Sequence, residues 1–262
     1  MLKIFGQTDV GKVRNNNEDH FLVMQTTSDS IDKLPQIFAV PTTVSPAILM
    51  VSDGMGGAAA GEVASLMAVN TVAEWFKSSE NEFSDPITAI DDALQQANRN
   101  IIEYAKTHQG KYGMGATGTL AVVFGKRLVI GQVGDSRAYL IRNNAIRQLT
   151  RDQSFVNQLV EAGKITEEEA EIHPRRNIIL QALGNEEKLD VVISEEELQS
   201  GDKLLLCSDG LSGMIPKNEL LEIVTASSDI ASTTARLIQR ANELGGIDNI
   251  TVVCASCNDE PA

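Results

Sequence analysis

The sequence predicts an α+β fold: a four-layer αββα sandwich with two central, mainly antiparallel β-sheets flanked by paired helices. Three observations carry this expectation. Apolar runs of strand length come in consecutive groups, and the long amphipathic segments come mostly in pairs. The strict strand–helix alternation of a doubly wound parallel sheet is missing.

Taken in order, strands are expected at about 2–8, 20–26, 47–52, 117–124, 127–133, 137–142, 189–193, 203–208 and 250–255. The runs at 117–124, 127–133 and 137–142 are joined by very short turns, so they should be antiparallel neighbours. A first helix is expected from about Gly61 to Lys77, with Val63, Leu66, Met67, Val69, Ala73 and Phe76 available for burial. A second starts at Asp85-Pro86, an N-cap followed by proline at the first helical position. Its Ile87, Ile90, Leu94, Ala97, Ile101 and Tyr104 recur at helical spacing. A third, at about 230–244, aligns Leu237, Ile238, Ala241 and Leu244 before Gly245-Gly246 stops it.

No linker, low-complexity tract or repeat divides the 262 residues, so a single domain over 1–262 is expected. Hydrophobic residues make up 42% and charged residues 22%, which fits a globular chain with a sizeable core and excludes disorder as its main state. With 36 Asp+Glu against 22 Lys+Arg, the net charge of −14 argues against a general nucleic-acid binder. The first residues hold no apolar stretch of signal-peptide length, and no run approaches the roughly 18–20 apolar residues that cross a bilayer. A soluble, cytoplasmic, monomeric protein with no membrane partner is the expectation. Cys254 and Cys257 form a C-x-x-C, but no second such pair or nearby His accompanies them, so ordinary reduced thiols are expected.

The acids follow the strand pattern. The runs before Asp53, Asp135 and Asp209 are apolar strands, and each Asp is flanked by Gly. Glu18-Asp19 and Asp248 stand just before two other strands. In antiparallel pairing the end of one strand lies beside the start of its neighbour, so the five sites can converge on one edge. Any one Asp-Gly at a strand end is ordinary turn chemistry. Five in the same topological position point to a divalent hard metal held by oxygen ligands, with glycine offering a carbonyl as a further one. Crowded carboxylates without such an ion repel one another. Arg14, four residues before Glu18, is a candidate anchor for a phosphoryl group, which a guanidinium can grip through two oxygens.

In order, the chain shows RNNNED (14–19), SDGMGG (52–57), GMGATGT (113–119), GDSRAY (134–139), CSDGL (207–211) and DNIT (248–251). It resembles the metal-dependent serine/threonine protein phosphatases of type 2C in their compact bacterial form, over nearly its whole length. The resemblance implies a binuclear Mn²⁺ or Mg²⁺ centre. Asp53 would bridge the ions, the Gly54 carbonyl would complete one of them, and Asp209 and Asp248 would bind the other. Glu18 and Asp19 would hold metal-bound waters, and Asp135 would share a third, weaker ion with Asp209. Asp53, Asp209 and the phosphate-binding Arg14 would then be the catalytic set. The implied reaction is direct attack by a metal-bridging hydroxide on phosphoserine or phosphothreonine of phosphorylated proteins, opposing a partner serine/threonine kinase.

Two departures stand out. Met55 follows Asp-Gly where many eukaryotic members have a His, and Ala58 stands where many bacterial ones have another. The general acid is therefore unassigned, with a metal-bound water as the default; His20 should face away from Asp19, and His108 ends a helix. The segment 150–184 is similar to the family's flap, which often has His where Gln153 stands, and its Arg175-Arg176 is a candidate docking pair. A catalytically silent phosphoprotein binder and a small-molecule phosphoesterase are the alternatives.

Overall fold

The computed structural model describes residues 1–25, 37–43, 45–57, 60–78, 85–109 and 113–258. It opens with β1 (Leu2–Asp9), β2 (Asp19–Gln25), β3 (Phe38–Val40) and β4 (Ala47–Met55), then the helices α1 (Gly61–Lys77) and α2 (Pro86–Thr107). Next come β5 (Gly115–Ala116), β6 (Gly118–Phe124), β7 (Arg127–Val133), β8 (Arg137–Arg142) and β9 (Ala145–Gln148). Two short helices, α3 (Phe155–Glu161) and α4 (Glu167–Glu171), precede β10 (Val192–Glu197) and β11 (Lys203–Cys207). The chain closes with α5 (Asp209–Ser212), α6 (Lys217–Ala226), α7 (Ile230–Glu243) and β12 (Ile250–Cys257).

One sheet runs β3-β1-β12-β11-β8-β9 and the other β10-β7-β6-β4-β2, with β5 paired to β4 off that path. The pairings within both are antiparallel. The unbroken apolar run of β4 follows from burial on both faces. Leu49 and Val51 point between the sheets with Ile4, Leu140, Leu206 and Val253, while Ile48 and Met50 point to the layer of α1 and α2. On the far side, Tyr139, Leu205 and Val252 meet Leu220 of α6 and Leu237 and Ile238 of α7. The four layers expected from the sequence are therefore present, each helix pair burying one apolar stripe.

The Asp85 cap behaves as read, and α7 adds a second that the sequence reading did not name. Asp85 accepts the Thr88 amide at 3.3 Å and Asp229 accepts that of Ser232 at 3.0 Å. Cys254 faces the α6–α7 layer while Cys257 packs toward the layer between the sheets, so the C-x-x-C spans two faces of β12. Among the described residues no disulfide joins the three cysteines. No helix among the described residues is long and apolar enough to cross a membrane.

Four expectations need correction. The runs at 127–133 and 137–142 are not paired: β7 lies in one sheet and β8 in the other. Gly134, at φ +95°, turns the chain from sheet to sheet instead of back on itself. The strand expected at 189–193 lies at Val192–Glu197, where Glu195 and Glu196 pair with Arg127 and with Arg142 and Arg147 along the sheet edge. Asp53 is inside β4 instead of past its end, because Gly54 and Met55 go on to pair with β5. β3, β9 and α6 were not expected; the two strands are short edges, and α6 buries only Leu220 and Val224.

Candidate metal centre

The strand pairing gathers the acids. Asp19 and Asp53 stand opposite one another in the β2–β4 ladder. Asp135 follows the Gly134 corner between the sheets, Asp209 opens α5 directly after β11, and Asp248 immediately precedes Asn249 and β12. Asp19 is 3% exposed; its Oδ2 accepts the Ser208 hydroxyl at 2.7 Å, and Ser208 Oγ in turn accepts the Thr251 amide at 3.0 Å. The Glu18 carbonyl accepts the Gly54 amide at 3.1 Å, and the Glu18 amide donates to Asn249 Oδ1 at 2.8 Å. Gly54 has to be glycine: a Cβ there would lie 2.2 Å from the Gly61 carbonyl oxygen and 2.6 Å from that of Glu18. The first turn of α1 is thus pressed against Gly54 and Glu18.

The electrostatics show what this convergence costs. Burial raises Asp53 well above the ordinary aspartate value, and Asp19, Asp209, Asp135 and Asp248 push it further. Burial lifts Asp19 to about 7 against its hydrogen bonds to Ser208 and Thr251, with Asp209 and Asp248 adding to the rise. Asp135 is carried to about 8 by burial and then by Asp209 and Asp152, against the pull of Arg137. Asp209 is raised by burial and Asp248, and Glu18 by burial against the nearby Arg14. Among the described residues two buried side-chain oxygens have no hydrogen-bond partner, Asn242 Oδ1 and, within this site, Asp135 Oδ1.

Arg14 Nη2 donates to Asp248 Oδ2 at 2.7 Å, so the candidate phosphate anchor and one candidate ligand neutralise each other in this structure. Among the described residues no three His, Cys, Asp or Glu side chains form a ready-made ion cage. Mutual repulsion and the Arg14 pair both oppose such collapse. The donor set nevertheless fits a hard divalent cation: it is all oxygen, it carries more negative charge than its surroundings can stabilise, and it includes an orphaned buried carboxylate oxygen.

None of the three histidines is bonded to a site carboxylate among the described residues. His20 turns to Ser65 of α1 at 2.9 Å, His108 stacks on Tyr104 with ring centroids 3.7 Å apart, and His173 accepts the Arg175 amide at 3.1 Å. Met55 pairs with Gly115, and Ala58 lies outside the described residues.

Sequence reasoning did not single out several supporting groups. Ser208 and Asn249 lie inside quoted motifs, and their signal was their place beside Asp209 and Asp248. Arg137 is the cation that faces Asp135; its Nε and Nη2 reach Asp152 Oδ2 at 2.8 and 2.6 Å, and its Nη1 reaches the Tyr139 hydroxyl at 3.3 Å. Gln153, which the sequence reading did name as standing where the family often has His, donates its backbone amide to the Gly134 carbonyl at 2.9 Å and accepts the Gly134 amide on Oε1 at 2.8 Å. The segment 150–184 is thereby tied to both sides of Asp135.

The family profile described as protein phosphatase 2C matches residues 37–246. The chain belongs to the protein phosphatase 2C family. The resemblance drawn from the six motifs therefore holds, and the chain is by class a phosphoprotein phosphatase. It is 39% identical over 254 residues to serine/threonine phosphatase Stp of Listeria innocua, covering 96% of this chain and 94% of that one. The crystal structure of serine/threonine phosphatase Stp1 from Staphylococcus aureus superposes with a TM-score of 0.88 at 34% identity, over 99% of this chain and 96% of that one. The catalytic domain of the phosphatase PstP, crystallised with two manganese ions, is 33% identical with a TM-score of 0.81, over 99% and 100% of the two chains.

Proposed function

We propose that this member of the protein phosphatase 2C family hydrolyses phosphoserine and phosphothreonine in proteins with the help of two Mn²⁺ or Mg²⁺ ions. The observation that carries the proposal is the convergence of Asp19, Asp53, Asp135, Asp209 and Asp248 between the sheets, with Arg14 at its edge. By likeness to the family, Asp53 would bridge the ions, with the Gly54 carbonyl completing one and Asp209 and Asp248 the other. Glu18 and Asp19 would hold the ions' waters, and Asp135 with Asp209 would take a third ion. When bound, two such ions supply a water nucleophile at neutral pH and stabilise charge on the transferred phosphoryl group.

The chain's own residues do the rest. Arg14 uses one Nη2–H on Asp248 Oδ2, which leaves Asp248 lone pairs for an ion and the guanidinium further N–H donors for two phosphoryl oxygens. Ser208 and Asn249 fix Asp19 and the Glu18 backbone, so both carboxylates enter from a rigid frame. No histidine is placed to protonate the leaving group, so the reading assigns no side chain to that role. A single domain is part of it, with 150–184 as a flap facing substrate. So is action as a monomer in the cytoplasm, on the substrates of a partner serine/threonine kinase; cysteines outside any disulfide fit a reducing compartment.

Turnover of p-nitrophenyl phosphate and of a phosphothreonine peptide, with Mn²⁺, Mg²⁺ or EDTA, tests the proposal. Activity that survives EDTA, or that persists undiminished in Asp209→Ala, would sink the metal mechanism. Inactivity on every substrate with every metal would favour a silent phosphoprotein binder, and turnover of small phosphoesters alone a different phosphoesterase.

A further inference from the structure

Ten large apolar side chains are exposed among the described residues, and four of them are Val10, Val13, Leu244 and Ile247. These four belong to two short segments, 10–13 and 244–247, that run directly into Arg14 and Asp248. The Lys12 and Val13 amides both donate to the Gly246 carbonyl, at 2.7 and 3.2 Å, so the segments lie side by side. One residue from each partner of the Arg14–Asp248 ion pair there is a largely bare aliphatic group: Val13 is 64% exposed and Ile247 48%. The surface is also held in place. Asn249 Nδ2 donates to the carbonyls of Val10 and Asn16 at 2.9 Å each, and the Gly11 amide bonds Asp9 Oδ1 at 2.8 Å. Single exposed aliphatics are ordinary, but a fixed group of them beside an ion-binding residue marks a contact surface.

We propose that Val13 and Ile247, flanked by Val10 and Leu244, dock an apolar side chain of the substrate peptide close to the phosphorylated serine or threonine. This deepens the proposed function and rests on its assignment of Arg14 to the phosphate. The occupant follows from continuity and charge. A phosphate gripped by Arg14 brings its own chain over the neighbouring residue, Val13. An extended peptide advances about 3.3 Å per residue, so the positions within three of the phosphoresidue cover about 10 Å of this surface. Lys12 and Arg14 supply positive charge for the phosphate, whereas a chain of net charge −14 repels an acidic flank. The bare aliphatic groups of Val13 and Ile247 offer a charged flank no partner, so a neutral apolar residue is the occupant that this surface fits.

Phosphothreonine peptides of one length, with Ala, Leu or Glu scanned through three positions on each side, provide the test. They are compared by kcat/KM with Mn²⁺ and by fluorescence anisotropy in EDTA. Partial burial of one leucine leads us to expect about tenfold preference for Leu over Glu at one or more positions. Val13→Ser combined with Ile247→Ser should shrink that preference to about twofold and leave p-nitrophenyl phosphate turnover unchanged. A flat scan, a preference that survives in the double variant, or equal loss on peptide and p-nitrophenyl phosphate would overturn the docking surface. So would a dimer in sedimentation that the double variant dissolves, because the patch would then belong to a second copy. A preference seen in anisotropy and lost in the double variant, without turnover by any metal, would uphold the surface while refuting the phosphatase reading.

Discussion

Replacing Asp19 by asparagine removes a charge from a nearly sealed position while keeping an oxygen that can accept the Ser208 hydroxyl. In the folded chain Asp19 titrates near 7, whereas an unfolded aspartate titrates near its ordinary value of 3.8. A group whose folded value is raised helps folding at acid pH and loses that contribution as pH rises through the folded value. For Asp19 the loss runs from about pH 4 to about pH 7 and is complete above that. At about 1.4 kcal/mol per pH unit this is ~4 kcal/mol, a ceiling because Asp53, Asp209 and Asp248 share the same field. We therefore expect Asp19→Asn in EDTA to gain about 2–4 kcal/mol over the parent at pH 8 and almost nothing at pH 4. At about 2–4 °C per kcal/mol for a chain of this size, the melting temperatures should separate by roughly 4–16 °C. Mn²⁺ should reverse the order at pH 8, since the parent gains a bound cation and the variant gains less. Thermal melts of both proteins at pH 4, 6 and 8, in EDTA and in Mn²⁺, decide the matter. A variant no more stable than the parent at pH 8 in EDTA, or offset by the same amount at every pH, would refute the charge-crowding argument.

Two further substitutions follow from the same geometry. Gly54→Ala forces a Cβ against the carbonyl oxygens of Gly61 and Glu18, so we expect it to lose about 1–3 kcal/mol in a denaturant melt and to weaken Mn²⁺ binding in calorimetry. Unchanged stability would mean that α1 moves freely away from β4. Arg175 lies with its guanidinium carbon 5.7 Å from the Phe155 ring centroid, and Arg176 is exposed beside it. Reversing both charges should lower kcat/KM for a phosphopeptide while leaving p-nitrophenyl phosphate untouched, and equal loss on both substrates would argue for a folding role.

How much could be read from the chain alone depended on how local each cause is. α1, α2 and α7 were legible because apolar residues at helical spacing, Asp85 as a cap and Gly245-Gly246 as a stop all act within a few residues. The strands of the two central sheets were legible because burial on both faces leaves unbroken apolar runs, and the six motifs carried the family. The crossing from β7 to β8 was not legible, since Gly134-Asp135-Ser136 reads the same whether the chain folds back or changes sheets. Nor was the edge strand β10, whose glutamates are held by arginines from other strands. In the candidate site, the sequence determined which acids were available and that antiparallel strands could gather them. Only the tertiary structure decided that Asp19 faces Asp53 across the ladder, that Gln153 holds Gly134 next to Asp135 while Arg137 lends it a positive charge, and that Arg14 meets Asp248 across 234 residues of chain. Local spacing fixes which face of an element a side chain occupies; which charges finally confront one another is set by how the sheets stack, and that is a property of the whole core.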